Sequence, residues 1–235
     1  MDIRHLIVFE NESIVAMNKP HGLLVHRTSI AKSATDFALQ WVRDYAGVKV
    51  YLVHRLDRKT SGVLLFTKSE EENSYIQSLF REQKIKKTYK AIVRGYTDDN
   101  GIIDYPITNL KLKTQDAITH YTTICRYEIP LANSTHSTSR YSEVELRPKT
   151  GRYHQLRKHM AHIRHPILGD RPHGCNKHNR LWKETYGMTT MMLHAQELQM
   201  DHDTYGKLTI MAPISQAYTS VLKILHSERI IEETT

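Results

Sequence analysis

The 235-residue sequence predicts an α+β fold, built around a mixed, mainly antiparallel sheet with flanking helices. Three observations favour this class. Short apolar stretches rich in β-branched residues follow one another in runs typical of a meander. Stretches with helical spacing of apolar residues interrupt these runs at irregular intervals. No regular alternation of strand and helix indicates a parallel sheet.

The first part of the chain predicts a hairpin, a helix and a buried strand. LIVF (6–9) and SIVAM (13–17) have strand character around the turn ENE, and the loop NKPHG (18–22) follows them. Ser33 is placed to cap a helix that continues to about Tyr45. GVLLFTK (62–68) then predicts a strand.

The remaining elements follow from capping and periodicity. Ser69 with Glu72 forms a capping box for a second helix. Gly151 breaks the chain before a helix on which Leu156 and Met160 share one face. A last amphipathic helix is predicted over 215–230. Strands are predicted at TYKAIVRGY (88–96), THYTTICRYEI (119–129), RYSEVELRP (140–148), MMLHAQELQM (191–200) and GKLTIMA (206–212).

Positive charge is concentrated in one part of the chain. Lysine and arginine outnumber aspartate and glutamate by 33 to 25, and the isoelectric point is about 9.4. Residues 147–183 hold ten of the cations and a single acid, Asp170. A localised basic segment favours a polyanionic partner, although solubility alone can account for a net charge of this size.

The cysteines and the N-terminus indicate the compartment. Cys125 and Cys175 lie far apart without a disulfide or metal spacing, so both are predicted to be reduced. The first residues lack an uninterrupted apolar stretch, and no later stretch reaches the length of about eighteen apolar residues that spans a membrane. We therefore expect a cytoplasmic protein without a membrane association or an obligate protein partner.

The stretch HRLDRKTSG (54–62) places one carboxylate, Asp57, among four potential cations. Two interpretations are open. A solvated loop of surface ion pairs is the commoner use of such a pattern. Alternatively, an aspartate that arginines keep ionised, in a loop between two strands, suits a nucleophile better than a general acid.

Several other chemistries lack their motifs. The sequence contains no glycine-rich dinucleotide loop, no Walker loop, no H-E-x-x-H and no C-x-x-C pair. A metal site at His154, His159, His162 and His165, or at Cys175 with His178, is disfavoured because the surrounding cations would oppose a divalent ion. The residue types alone point to nucleotide modification without identifying the reaction.

Two long stretches, HRLDRKTSGVLLFTK (54–68) and TGRYHQLRKHMAHIRHPILGD (150–170), resemble the catalytic motifs of the RluA-family pseudouridine synthases. NKPHG, KKTYKAIVRG (86–95) and MLHAQEL (192–198) match in the family's order. The resemblance implies one catalytic domain over 1–235, with a central cleft and no separate S4-like RNA-binding domain. It also implies isomerisation of uridine to pseudouridine in RNA, which needs no cofactor or metal because the product is an isomer of the substrate.

The resemblance implies roles for five residues. Asp57 is expected to be the nucleophile, with attack at ribose C1′ or at C6 of the uracil left open. Arg157 is expected to pair with this aspartate. Arg55 is expected to fill the space left by the flipped-out nucleotide, or simply to contact phosphate. Tyr89 is expected to stack on the uracil and help to remove the C5 proton, with a core tyrosine as the alternative, and Leu193 to form an apolar wall beneath the base.

Four cations are expected to bind RNA phosphates: Lys19, Arg152, Lys158 and Arg164. GLLVHR (22–27) and RPHGCNKHNR (171–180) favour the branch of the family that acts on uridine 65 of tRNA. Two alternatives stay open, namely a ribosomal RNA synthase of the same family and an RNA-binding protein without catalysis. The choice of RNA is expected to depend on the basic surface and on segments such as 109–119 and 171–187.

Overall fold

The computed structural model describes residues 2–26, 36–133 and 135–230, in which the chain forms two compact units. The first unit runs up to Thr88 and includes His194–Pro213, and the second comprises Tyr89–Leu193 and the chain from Ile214 onwards. The predicted α+β class with a mixed, mainly antiparallel sheet is confirmed. A single catalytic domain over 1–235 and a central cleft stay predictions.

The described residues contain a short 3-10 helix, twelve strands and five α-helices. In chain order they are the 3-10 helix Arg4–Leu6, β1 (Ile7–Glu10), β2 (Ile14–Lys19), α1 (Ala38–Ala46), β3 (Tyr51–Leu52), β4 (Ser61–Thr67), α2 (Glu70–Arg81), β5 (Lys86–Arg94), β6 (Asn100–Asp104), β7 (Ile107–Thr108), β8 (Thr114–Gln115), β9 (Ile118–Ile129), β10 (Ser139–Pro148), α3 (Gln155–His162), α4 (Asn176–Tyr186), β11 (Leu193–His202), β12 (Gly206–Met211) and α5 (Gln216–Ser227). None of these helices is long and apolar enough to cross a membrane.

Strand pairing within each unit is mainly antiparallel. In the first unit β2 lies between β1 and β4, β3 also pairs with β4, and β12 pairs with β11, all antiparallel. The exception is β11, which runs parallel to β4. In the second unit the order β5, β10, β9, β6 is antiparallel, and β7 and β8 form a separate hairpin.

Local chemistry accounts for the turns and caps that begin these elements. The side chain of Asn11 accepts hydrogen bonds from the N–H groups of Ser13 and Ile14, which fixes the turn between β1 and β2. The predicted cap of α2 is confirmed at Ser69, whose hydroxyl accepts from the Glu72 N–H at 3.1 Å. The Glu72 carboxylate does not complete a capping box, because it contacts His202 at 2.6 Å.

Each unit buries its own apolar core. The first unit packs α2 against β2, β4, β11 and β12 through a cluster that includes Ile14, Leu65, Ile76 and Leu198. The second unit has one cluster around Trp182 and Tyr127 and another around Val144, Met160 and Leu193. Burying a side chain of this size contributes about 1.5–3 kcal/mol, so these clusters are the main source of stability.

One helix prediction needs correction, and one helix was not predicted. The predicted cap at Ser33 lies outside the described residues, but Asp36 and Phe37 are not helical and α1 begins at Ala38. Phe37 is extended because it forms a bridge with Leu24. Helix α4 was not predicted, since NKHNRLWKETY has few apolar residues and its N-cap, Cys175, makes no side-chain capping bond.

Gly62 lies where β4 and β11 approach most closely. Its φ of +110° belongs to a region that residues with a Cβ rarely adopt, and it faces Ala195 in the parallel pair. A Cβ at this position would lie 2.1 Å from the carbonyl oxygen of Ala195. The glycine is therefore required at this point by both backbone conformation and space.

Lys19, at the end of β2, is completely buried. Its ammonium group donates to the carbonyl oxygens of Pro20, Leu23 and Arg58 at 2.9, 2.9 and 3.1 Å. The pKa of Lys19 is lowered to about 7, chiefly by burial; the negative charge of Asp57 opposes this shift and the positive charge of Arg58 adds a smaller contribution to it. Lys19 therefore links the backbone of the loop that follows β2 to the backbone of the loop that contains Arg58.

We predict that Gly62→Ala lowers the free energy of unfolding by about 2–4 kcal/mol, because strand β4 must move away from Ala195 and accept a strained φ. Gly206→Ala is the matched control, since Gly206 also has a positive φ but no atom near its added Cβ. The control should lose only about 1 kcal/mol. Urea denaturation measures both variants, and equal losses would contradict the steric argument.

The buried lysine predicts a pH dependence of stability. Between pH 7 and 10.5 the unfolded chain binds a proton at Lys19 that the folded chain has released, so this group makes stability rise with pH in that window. The difference in unfolding free energy between wild type and Lys19→Met should therefore shift in favour of wild type from pH 7 to pH 10. The exposed Lys207→Met should show no such shift. A difference independent of pH would show that Lys19 keeps an ordinary pKa.

Candidate active site

Asp57 lies in the loop between β3 and β4, and this loop is fixed by backbone contacts. Gly22 N–H donates to the carbonyl of Arg58 at 2.8 Å, and Arg58 Nε returns a bond to the carbonyl of Gly22 at 2.9 Å. Thr60 N–H donates to the carbonyl of Asp57 at 3.0 Å, which closes a tight turn. The half-buried Asp57 side chain is thus presented by a rigid loop.

Lys19 is placed close to this carboxylate, but not as a phosphate ligand. All three of its protons are used within the first unit, and the side chain has no exposure to solvent. A phosphate contact at Lys19 therefore does not fit the structure. Its charge interacts favourably with Asp57, so Lys19 instead contributes to the electrostatic environment of the loop.

The histidines of the loop region are neutral near pH 7. Burial lowers the pKa of His54 to about 4, and its Nε2 accepts from the Leu65 N–H at 3.2 Å. Burial and the neighbouring Lys19, Lys59 and Arg58 lower the pKa of His21 to about 4. His54 therefore adds no positive charge to the stretch HRLDRKTSG, and its role is to hold the loop against β4.

Ser61 is fixed at the first position of β4 by a histidine that sequence reasoning did not single out. The Ser61 hydroxyl lies 2.9 Å from Nδ1 of the buried His194, whose Nε2 lies 3.2 Å from the carbonyl of Ala212. Because only a protonated Nε2 can donate to that carbonyl, Nδ1 accepts from the serine. The signal was present in the stretch MLHAQEL, which contains His194.

Arg55, which was expected to fill the space left by the flipped-out nucleotide, has an exposed side chain.

In the second unit, Arg157 forms a buried, bidentate ion pair with Asp170. Nε lies 2.7 Å from Oδ2, and a terminal nitrogen lies 2.8 Å from Oδ1. The two side chains are 6% and 1% exposed. A two-point contact of this kind fixes the plane of the guanidinium group as well as its position. Asp170 was not proposed as a site residue, although it is the one acid in the basic segment 147–183.

Asp170 is held in turn by the start of α4. The side-chain nitrogen of Asn179 donates to the Asp170 carbonyl at 2.7 Å, and Asn179 Oδ1 accepts from the Gly169 N–H at 2.8 Å. His173 N–H approaches Asp170 Oδ1 at 3.4 Å. Asn179 of α4 therefore holds the backbone of this turn at Gly169 and at Asp170.

Tyr89 and Leu193 lie in the same cluster of the second unit. Leu193 is 3% exposed, and Tyr89 packs against the cluster while remaining half-buried. Tyr89 stands opposite Leu146 in the pairing of β5 with β10. Both residues thus belong to one packed apolar cluster, and their contact with the uracil stays a prediction.

Arg152 and Lys158 contact the β7–β8 hairpin and the residue that follows it. Lys158 Nζ donates to the carbonyl of Thr108 at 2.7 Å, and Arg152 Nε donates to that of Asp116 at 3.1 Å. The ring of His162 stacks on Tyr105 at 3.7 Å between centroids. Both predicted phosphate ligands therefore also anchor this hairpin to α3 and the loop before it.

Arg164, the fourth predicted phosphate ligand, is exposed just after α3 and has a positive φ of 66°.

Among the residues that the structure describes, no group of three or more His, Cys, Asp or Glu side chains is arranged to hold a metal ion. The histidines at 154, 159, 162 and 165 do not converge on one point: His154 contacts His173, whereas His159 contacts Thr119 and Tyr105.

Comparison with known proteins adds independent information. A family model described as RNA pseudouridylate synthase matches residues 13–162. The chain is 42% identical over 229 residues to tRNA pseudouridine synthase C of Vibrio vulnificus (strain CMCP6), covering 92% of this chain and 94% of that protein. It is 44% identical over 218 residues to tRNA pseudouridine synthase C of Yersinia pestis, covering 88% and 85%.

The solved structure of Human RNA Pseudouridylate Synthase Domain Containing 4 superposes with a TM-score of 0.75, at 24% identity and with coverage of 95% and 94% of the two chains. This likeness supports the fold. The predicted RluA-family resemblance is confirmed by the family model and the relatives together. With a family match over most of its length and relatives above 40% identity, the chain belongs to the RNA pseudouridylate synthases and is an RNA pseudouridine synthase.

Proposed function

We propose that this enzyme converts uridine 65 of tRNA to pseudouridine, with Asp57 as the nucleophile. Relatives above 40% identity over most of the chain carry the name tRNA pseudouridine synthase C, which favours tRNA as the RNA class. The choice of position 65 rests on the branch resemblance of GLLVHR and RPHGCNKHNR. The observation that carries the role of Asp57 is its place on a loop fixed by Gly22, Arg58 and the buried Lys19.

The proposed reaction exchanges one bond for another. The carboxylate of Asp57 attacks ribose C1′ or C6 of the uracil, and the N1–C1′ bond breaks. The base then rotates and C5 bonds to C1′, and the bond from Asp57 to C1′ or C6 breaks, which restores the free carboxylate. The C5 proton is lost while N1 gains one. Because substrate and product have the same atoms and oxidation state, the reaction consumes no redox partner or nucleotide triphosphate.

Positively charged groups surround the Asp57 carboxylate. The Lys19 ammonium group is attracted to Asp57, and Arg58 lies next to it in the chain. His54 and His21 are neutral near pH 7, so the positive charge around the loop comes from lysine and arginine. The exposed Arg58 also suits the approach of an RNA phosphate.

Arg157 is proposed as the arginine that orients the nucleophile. The bidentate contact with Asp170 leaves the guanidinium group little freedom, which is the arrangement expected of a group that must hold a fixed direction during catalysis. Asp170 is then a positioning residue, because it acts through Arg157. The pairing of Arg157 with Asp57 stays a prediction.

Substrate recognition is proposed to use both aromatic and charged groups. Tyr89 would stack on the uracil against the apolar surface that includes Leu193. The exposed Arg55 would fill the gap in the RNA left by the flipped-out nucleotide. Arg164 would contact phosphate directly, whereas Arg152 and Lys158 would act mainly by holding the β7–β8 hairpin in place.

The function is tested by incubating purified enzyme with unmodified total tRNA and, separately, with ribosomal RNA transcripts. Pseudouridine is then mapped by carbodiimide-dependent stops in reverse transcription. A new stop at tRNA position 65 is the expected result. Modification confined to ribosomal RNA would replace the substrate but keep the chemistry, and modification of neither RNA would contradict both.

We predict that Asp57→Asn, which keeps the shape but removes the negative charge, lowers kcat by at least about a thousandfold. The affinity for tRNA should change little. Tritium release from uridine-labelled tRNA measures turnover, and filter binding measures affinity. Asp201→Asn, an exposed position in the same unit, is the control and should keep full activity. A tenth of the wild-type rate in Asp57→Asn would rule out a nucleophilic role.

We predict that Asp170→Asn costs about 3 kcal/mol of stability, because it removes the negative charge that meets the buried guanidinium group of Arg157 at two points. Asp99→Asn breaks the exposed pair with Arg126 and should cost less than about 1 kcal/mol. At a temperature where Asp170→Asn is fully folded, kcat should fall at least tenfold with KM for tRNA nearly unchanged. An unchanged kcat would show that the ion pair serves folding alone.

A further inference from the structure

Helix α4 buries one face and exposes a row of cations on another. Trp182 is fully buried, with its ring against Tyr141 at 5.4 Å between centroids. Lys177, Arg180 and Lys183 are exposed and follow one another at intervals of three residues, which places them along one side of the helix. The helix thus presents a strip of positive charge from a well-anchored position.

These cations have little to balance them within the protein. Arg180 approaches Glu184 only at 3.9 Å, and both side chains are largely exposed, where a pair contributes at most about 1 kcal/mol. In the described part of the second unit, Lys177 and Lys183 have no carboxylate oxygen within 4.0 Å. The strip is therefore not explained by ion pairing within the fold.

Two cavities adjoin the strip. The larger, of about 530 Å³, is lined by Arg94, Lys177, His178, Arg180 and Leu181 among others. The smaller, of about 210 Å³, is lined by Arg171, Arg180 and Lys183 together with the amide side chains of Asn176 and Asn179. Arg180 borders both cavities and joins them to the strip, so the surface is predominantly basic, with Glu184 as the acid in the lining of the larger cavity.

The chemistry of this surface fits a nucleotide chain. The larger cavity combines cations for phosphate with an imidazole and an apolar side chain for a base, in a volume suited to one nucleotide. We propose that α4 and its two cavities form a second RNA-binding surface, which holds the phosphate backbone of the substrate RNA at a distance from the target uridine. This proposal rests on the proposed function, because the bound segment belongs to the same tRNA.

The surface has a fixed position relative to Arg157. Asn179, on α4, holds the backbone on both sides of the turn at Gly169 and Asp170, and Asp170 holds Arg157. A rigid connection of this kind allows a protein to select an RNA by the spacing between a bound segment and a reacting nucleotide. The α4 surface is therefore suited to substrate selection.

The first experiment compares Lys177→Ala/Lys183→Ala with Lys207→Ala/Lys223→Ala, which removes the same charge from exposed positions elsewhere. We expect the α4 variant to bind a full-length tRNA transcript about tenfold more weakly than wild type. The slope of the logarithm of the binding constant against the logarithm of salt concentration should become less steep by about 1.5. The control should match wild type. A short hairpin that carries only the target uridine and its stem should bind wild type and both variants equally.

Equal affinity of the α4 variant and the control for full-length tRNA would overturn the proposal. So would an equal loss with the short hairpin, because the surface would then contact the target stem itself. Pseudouridine formation by wild type is measured in the same samples. Its absence would count against the proposed function, whereas intact modification with an unchanged salt slope would count against the α4 surface alone.

The second experiment uses Cys175, which lines the larger cavity. Although burial opposes it, hydrogen bonds from the His178 N–H and from Arg94 lower the pKa of the Cys175 thiol, so the group is suited to alkylation. In a Cys125→Ser background, full-length tRNA should slow the reaction of Cys175 with iodoacetamide at least fivefold, and the short hairpin should not. Lack of protection by tRNA, or equal protection by uridine monophosphate alone, would overturn the proposal.

Discussion

The buried ion pair between Arg157 and Asp170 organises the second unit. An arginine on a helix with an apolar face is costly to bury, and it is stable only because a carboxylate meets it at two points in a region closed to water. That carboxylate needs a fixed backbone, which Asn179 of α4 supplies. The motif segment 150–170 and the unpredicted helix α4 are thus parts of one arrangement around a single guanidinium group.

In the first unit, different groups fix the position of the candidate nucleophile. Asp57 lies on a loop, and loops are ordinarily the most mobile parts of a fold. Here Lys19 donates to the carbonyl of Arg58, within this loop, and to the carbonyl of Leu23, in the loop that follows β2. Gly62, which follows the Asp57 loop in the chain, allows β4 to lie close against β11. Buried hydrogen bonds and close backbone packing fix the backbone of this loop. His54 is neutral near pH 7, so it adds no ion pair to the stretch HRLDRKTSG.

The basic residues of this RNA pseudouridine synthase fall into two groups with different physical roles. Lys19, Arg152, Arg157 and Lys158 bond to carbonyls or a carboxylate of the protein itself, so much of their hydrogen-bonding capacity is spent on positioning. The cations of α4 are exposed and weakly balanced. A net positive charge alone does not separate these groups. The distinction matters for function, because a cation that bonds to the protein itself is less available to bind RNA phosphates than an exposed cation such as Arg164 or those of α4.

The sequence by itself determined the fold class, the family and the candidate nucleophile, because strand composition, the helix cap at Ser69 and two long motifs are local signals. Only the tertiary structure decided what Lys19 contacts, that Asp170 is the partner of a buried arginine, and that 176–186 is a helix. Lys19 and Arg58 are far apart in the chain, and α4 is stabilised by Trp182 in a core that local periodicity does not reveal. A charged residue looks the same in sequence whether it faces water or a carbonyl, since burial is a property of the packed chain.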